Sequence, residues 1–456
     1  MKTAARRRLA WLTAALILAA CSGPAGPQKE RLVPDAAFGT GGLAIAADSA
    51  ATRAGDFGLA LVQHEDGSLL LAGVSCTVSS AFCSPSTWAA TAWRFLPSGG
   101  LDGGFAASGT FLADSVSGGN LDAVFSALGV AGNDLLVGTV QTSAHDANGY
   151  LWALDAAGAA PAQPLGGAGS AEYDGAIAGG GHDLFTAVAP AGSGFWIAGG
   201  AAPDQNGTHY RMTVWKLDLN GSKDPAFDTD GIWSSAQSAQ SWAMAIAVDA
   251  EGRPVVAGVT NNAPAQATVW RLGAAGGLDA SFQGGRVLLS VPGSSSTGAR
   301  ALMLDEGRIV VAGTAVTADG EHPVLWRLMS NGTLDADFGD GGVLLLPERM
   351  NASGPSFWRQ GLALARDEKG RYLLAGGAKS DDGDLDAAVW RILPSGNVDP
   401  DFCGGGPCTF DRAGEHDWAS RLILDPEGVL YLGGWASGAD GDPDAAIWKL
   451  RFTAAR

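Results

Sequence analysis

The chain has 456 residues, 46% of them hydrophobic and 17% charged, with 29 Lys and Arg against 47 Asp and Glu and a formal net charge of −18 at pH 7. Four of the bases, Lys2, Arg6, Arg7 and Arg8, open the chain; without them 25 bases face 47 acids, a formal charge of −22. Such an excess argues against nucleic acid and against anionic lipid headgroups as electrostatic partners.

Residues 1–21 read as an address. The basic residues precede a 12-residue apolar run, Leu9 to Ala20, too short to span a bilayer as a permanent helix. The run ends in Leu18-Ala19-Ala20-Cys21 and resembles a bacterial lipoprotein signal with its lipobox. That resemblance implies cleavage before Cys21 and acylation of its thiol and of the new amino terminus; an ordinary signal peptide with a chance Cys is the alternative. Several acyl chains anchor stably, because each buried methylene contributes about 0.8 kcal/mol. Ser22 stands where an inner-membrane retention signal usually has Asp, so the expected location is the outer membrane of a Gram-negative bacterium. Residues 22–32 begin SGPAGPQKE, a Pro, Gly and polar composition suited to a tether, and the folded domain is expected over 33–456.

With Cys21 assigned to lipid, four cysteines remain, in two close pairs: Cys76 with Cys83, and Cys403 with Cys408. In an exported protein this reads as two loop-stapling disulfides. Neither pair has the His company that a zinc site wants.

Length alone suggests about three domains; self-similarity overrides it. A strand-like element recurs seven times, as AWRF (Trp93), LWAL (Trp152), VWKL (Trp215), VWRL (Trp270), LWRL (Trp326), VWRL (Trp390) and IWKL (Trp448), with spacings of 59, 63, 55, 56, 64 and 58. Five copies lead into a Gly turn and an Asp-x-x-Phe unit ending at Phe105, Phe227, Phe282, Phe338 and Phe402; one more such unit, ending at Phe38, precedes the first copy. Each repeat holds four short runs rich in Val, Ile and Trp bounded by Gly, Asn and Asp, the pattern of strands joined by hairpin turns. No segment carries a sustained helical period. The expected fold is all-β, a seven-bladed β-propeller of four-stranded blades.

The repeat, with its LDxxFGxxG, ALxxDGxxLVAG and aromatic-Arg segments, resembles the delta-60 repeat family of bacterial β-propellers over nearly all of residues 33–452. The resemblance implies a fold and export, and no reaction. The third unit departs from it, with AAPAQPLGG in place of LDxxFGxxG.

Six of the seven Trp elements carry a cation after the Trp; the exception is Ala153, whose following turn also lacks the Asp. Joint loss is what a paired interaction predicts, since deleting one partner strands the other whereas deleting both is nearly neutral. The expected structural ion pairs are Arg94 with Asp102, Lys216 with Asp224, Arg271 with Asp279, Arg327 with Asp335 and Arg391 with Asp399. The chain begins with an Asp-x-x-Phe strand and ends on a Trp strand that lacks a successor. Closure of the ring by the N-terminal strand is therefore expected, with Asp35 near Lys449.

If the alternating strand is innermost, one face carries tight turns such as HEDGS and DAEGR, and the other carries loops of unequal length, the default binding face. Candidate residues there are Asp56, His182, Asp183, Trp242, Trp358, His416, Asp417 and Trp418. Two readings stand for the acids. They surround the channel mouth, where His182 and His416 join them around a divalent ion, or they cap the loop backbone entering a strand. The Trp residues suit stacking on a sugar or peptide, or packing between blades. The acidic loops DDGDLD (Asp381, Asp382, Asp384, Asp386) and ADGDPD (Asp440, Asp442, Asp444) lack the Glu and full ligand count of a calcium loop and read as solvated hairpins.

No contiguous catalytic motif occurs. The expectation is a monomeric envelope module that binds a protein, peptide or glycan, anchored by lipid and needing no cofactor. The alternative is a metal-dependent hydrolase or lyase at the channel mouth.

Overall fold

In the computed structural model, residues 29–453 are described except 47–54, 77–86, 115, 117, 143–145, 178–180, 205–208, 237–238, 262, 351–361, 382 and 440. The leader with Cys21, and also Cys83 and Trp358, lie outside the described residues.

Each repeat folds as four antiparallel strands, and the fifth shows why. Its first strand, Ser296–Asp305, mixes buried and half-buried residues. The second, Arg308–Val316, is buried along all but its two ends. The third, Glu321–Leu328, and the short fourth, Val343–Leu345, complete the blade in the order of the sequence. The second strand reads as a continuous apolar run because both of its faces are covered by neighbouring blades, which leaves no solvent side for polar residues. In the first blade, Leu69–Cys76 and Trp88–Phe95 are buried at every position. The repeat Trp residues fill the layers between blades: Trp93, Trp215, Trp270, Trp326 and Trp390 are 1% exposed or less.

The seven first strands are Asp56–Gln63, Gly118–Val130, Asp183–Ala191, Gln240–Val248, Ser296–Asp305, Ala363–Arg366 and Asp417–Leu424, and each pairs with the second strand of its own blade. Six of them carry a register shift at equivalent places near the strand entrance, as between Ala299 and Ala301. Such bulges increase local twist and re-aim a side chain.

The last blade is completed by the N-terminus. Its third strand, Pro443–Phe452, pairs with Leu32–Pro34 at one end and with Leu43–Ala46 at the other. The seven blades thus close without leaving that strand as an open edge. The ring begins earlier than residue 33. Composition places residues 29–32 in the tether, yet Glu30 bridges Phe402, Leu32 is 5% exposed opposite Phe452, and Lys29 Nζ donates to the Pro400 carbonyl at 2.8 Å. Buried pairing to the far end of the chain outweighs the local preference of that stretch for disorder.

Candidate functional site

The face with the tight turns is held by one device used repeatedly. Arg327 Nε lies 2.8 Å from Asp335 Oδ2, with both side chains buried. The Asp335 N–H donates to the Arg327 carbonyl, and the Phe338 N–H donates to the Asp335 carbonyl. Asp335 Oδ1 accepts the Asp337 N–H, an Asx turn that fixes the loop. The guanidinium stacks 4.6 Å from the Phe338 ring and donates through Nη1 to the Pro394 carbonyl in the hairpin of the next blade. One cation therefore closes its own turn and clasps the neighbouring blade.

The other copies place Arg271 at 2.9 Å from Asp279, Arg391 at 2.8 Å from Asp399, Lys216 at 2.9 Å from Asp224 and Arg94 at 3.6 Å from Asp102. At the seam, Asp35 lies 3.8 Å from Lys449 and 2.9 Å from Arg451. Gly396 sits in the clasped hairpin with φ of 80°, and a side chain there would strike the Phe338 ring and the Gly339 backbone, so the position requires glycine.

Two copies depart, each with a physical substitute. After Ala153 the Tyr173 hydroxyl donates to the Gly221 carbonyl at 2.6 Å, reaching the hairpin of the next blade as the Arg does elsewhere, and buried Leu165 packs on the same hairpin. At the last seam, where the third strand ends without a hairpin, Glu30 takes over. Its carbonyl accepts the Cys403 N–H, and its carboxylate lies 2.7 Å from Arg391 Nη1 and 3.5 Å from Arg371.

Because strands alternate in direction, the opposite face carries the second-to-third loops and the links into the first strands. Between described strands the links run from four residues (114–117) to 17 (346–362), and the loops from three (262–264) to eleven (77–87). Asp56, Asp183 and Asp417 stand at the entrance to first strands on this face, but at 0–2% exposure they are not an open rim. Asp183 accepts the Ala176 N–H at 3.2 Å; Asp417 accepts the Arg412 N–H at 2.7 Å and the Ser437 N–H at 3.1 Å; Asp56 accepts from the Ser75 hydroxyl. Asp56 ties its strand to the Ser75 side chain of the second strand, and Asp183 and Asp417 cap backbone at the strand entrance. Asp122, not singled out from sequence, does the same for the Val116 N–H, and Ser241 and Thr297 serve in the fourth and fifth blades, accepting the Met212 and Ala267 N–H groups.

The candidate ligands are engaged as well. His182 Nδ1 faces the Tyr210 hydroxyl at 3.1 Å, and His416 Nδ1 accepts the Leu385 N–H at 3.1 Å. Among the described residues no three His, Cys, Asp or Glu come together to hold a metal ion. Trp418 is fully buried, packed so closely on Gly377 of the neighbouring blade that a Cβ there would enter its ring, and Trp242 is half-buried beside Gly200. Trp418 is thus an inter-blade residue and offers no stacking surface. The two acidic loops are hairpins closed by backbone bonds from Ser380 to Asp384 and from Gly438 to Asp442, with Asp444 paired to Arg412. Cys403 and Cys408 form a disulfide with Cα atoms 5.4 Å apart, and Cys76 is also disulfide-bonded.

Burial raises the carboxyls of Asp183 and Asp417 to about 7, against their accepted N–H bonds, which act downward. Both groups hold protons in the fold that the unfolded chain releases from about pH 4 upward. Their contribution to stability is complete below about pH 4 and is lost as pH rises through 7. Thermal midpoints measured from pH 5 to 8 should fall more steeply in the native chain than in the Asp183→Asn, Asp417→Asn double variant, which keeps an acceptor at each cap. Buried Asp134, also raised to about 7, and His64, lowered by burial, are common to both proteins and cancel in the difference. Parallel curves would rule out the assignment.

The fold is that of a seven-bladed β-propeller whose titratable repeat residues serve the ring. Residues 306–338 and 370–402 match the family described as a domain of unknown function (DUF5122) beta-propeller. No curated protein matches the chain. Among solved structures it is similar to a protein of unknown function from Dyadobacter fermentans, at 8% identity and TM-score 0.43, over 90% of this chain and 98% of that one. It is similar to the phage phi92 endosialidase at 9% identity and TM-score 0.45, over 90% and 69%. It is similar to a GH93 α-L-arabinofuranosidase of Fusarium graminearum at 7% identity and TM-score 0.41, over 93% and 98%. Similarity at these values says nothing of ligand or reaction.

Proposed function

We propose that the chain is a lipid-anchored module of the cell envelope that binds a protein, peptide or glycan on its long-loop face. The observation that carries this reading is the division of labour between the faces. The cations, Asp-x-x-Phe acids and strand-entry acids that look chemical in sequence are spent on turns, caps and seams, whereas segment length varies most on the opposite face, from three to 17 residues against two to five in the turns between first and second strands. Loops on a rigid scaffold are where recognition is built. For the metal-dependent hydrolase or lyase, the contacts of His182, Asp183, His416 and Asp417 favour capping over ligation. Anchoring rests on the lipobox-like Cys21 and the basic leader.

The test uses the full chain expressed in a Gram-negative host. Wild type should take up labelled palmitate and fractionate with outer membrane, and Cys21→Ser should do neither. Detergent-extracted chain should capture an envelope protein or glycan that is lost when loop 202–210 is shortened to four residues and kept when the turn 425–428 is altered. Capture indifferent to the loop would refute the face assignment; an unlabelled wild type would refute the anchor.

A further inference from the structure

Two arginines face the axis of the ring. Arg300 is the bulged residue of the fifth blade's first strand, and Arg421 follows the bulge in the seventh. The bulges occur at the same step from the strand-entry caps Thr297 and Asp417, so the two lie at axial levels that differ by about one residue, roughly 3 Å. Arg421 Nη2 donates to the Phe125 carbonyl at 2.8 Å. Phe125 belongs to the second blade and the first blade stands between, so this guanidinium reaches past the inner edge of the first blade into the channel. The equivalent bulged residues elsewhere are Leu59, Phe125, Thr186, Met244 and Ser420, none of them charged.

Both side chains are half-buried, and neither guanidinium has a carboxylate within ion-pair distance among the described residues, whereas the buried Arg94, Arg271, Arg327 and Arg391 each have one. Arg300 makes no hydrogen bond among the described residues, and its buried Nε is unpartnered. Burial lowers both groups, Arg421 to about 10, and the more distant Glu321 carboxylate only partly offsets it at Arg300. Two partly desolvated cations whose donors meet only carbonyls, as Arg421 does at Ser420 and Phe125, or nothing, as at Arg300 Nε, are costly unless a counter-charge joins them. The planar fork of a guanidinium matches a carboxylate or oxyanion with two parallel donors.

We propose that the central channel is a binding site for a small anion, a carboxylate or inorganic oxyanion, anchored by Arg300 with Arg421 as the second cation. The negative surface of the chain repels polyanions, so the ligand is a small anion held by short-range contacts. The site is independent of the long-loop face and of any partner bound there.

The experiment titrates the full chain with sulfate, phosphate, acetate and chloride at constant ionic strength balanced with a bulky sulfonate, following the thermal midpoint and the heat of binding. A saturable effect is expected for at least one oxyanion or carboxylate, weakened about tenfold or more in Arg300→Met. Arg300→Lys, which keeps charge and loses the fork, should weaken oxyanion and carboxylate binding more than chloride, and it decides the matter if the Met variant does not fold. The four anions separate a halide site from an oxyanion or carboxylate one. No saturable effect in the native chain, saturation by chloride alone, or equal saturation in native and variant proteins would overturn the proposal.

Discussion

Deleting residues 29–46 is expected to open the ring and make the chain self-associate. The deletion uncovers the whole outer side of Pro443–Phe452, a row of unpaired backbone donors and acceptors that templates another strand. It also removes the burial of Leu32 and Phe38, at 5% and 1% exposure, which together contribute about 3–6 kcal/mol. Against a typical total of about 5–15 kcal/mol, that loss is a large share of the stability of the fold. Light scattering after size exclusion should show species above the mass of the intact chain, and the thermal midpoint should drop sharply. Glu30→Ala tests the same seam more gently, leaving Arg391, 1% exposed, without its 2.7 Å carboxylate contact; a loss of about 1–3 kcal/mol is expected. Unchanged mass and midpoint in the deletion would mean that the N-terminal strand is not what closes the ring.

The closing strand was legible in sequence because the repeat is permuted: an Asp-x-x-Phe unit without a preceding Trp strand must pair with the Trp strand that lacks a successor. Glu30 was not. It sits in a stretch whose composition reads as tether, and its partner Arg391 is 361 residues away. Asp122 escaped for a local reason. It stands ten residues before Gly132, whereas Asp56, Asp183 and Asp417 each stand eleven before Gly67, Gly194 and Gly428, so the shared spacing passes over it. The axial pair escaped for a third reason. Arg300 and Arg421 face the channel only through the bulge, and a one-residue register shift inverts the inside and outside of a strand. Short-range patterning was readable. Partners set by ring closure, and facing set by bulges, were not.

The repeated ion pair allows burial itself to be tested as the determinant of its strength. Asp335→Ala is expected to cost about 3–5 kcal/mol, because it leaves Arg327, 7% exposed at its side chain, with an uncompensated charge, frees Arg308 and removes the Asx turn. Arg327→Met costs less, since Asp335 keeps Arg308 at 2.9 Å. The double variant should lose less than the sum of the singles, with a coupling of about 1–3 kcal/mol, in line with the Ala153 copy, where cation and acid are both absent and Tyr173 reaches the next hairpin. The third blade supplies the contrast. Lys216 and Asp224 make an equally short contact, 2.9 Å, but their side chains are 25% and 29% exposed, and a solvated pair contributes about 0–1 kcal/mol. Asp224→Ala should therefore cost little beyond its turn cap to the Ala226 N–H. Denaturant titrations of the two cycles measure both couplings. Equal couplings at the two sites would show that proximity alone sets the strength. A coupling near zero at Arg327 and Asp335 would show that the turn cap, and not the charge pair, holds the blades together.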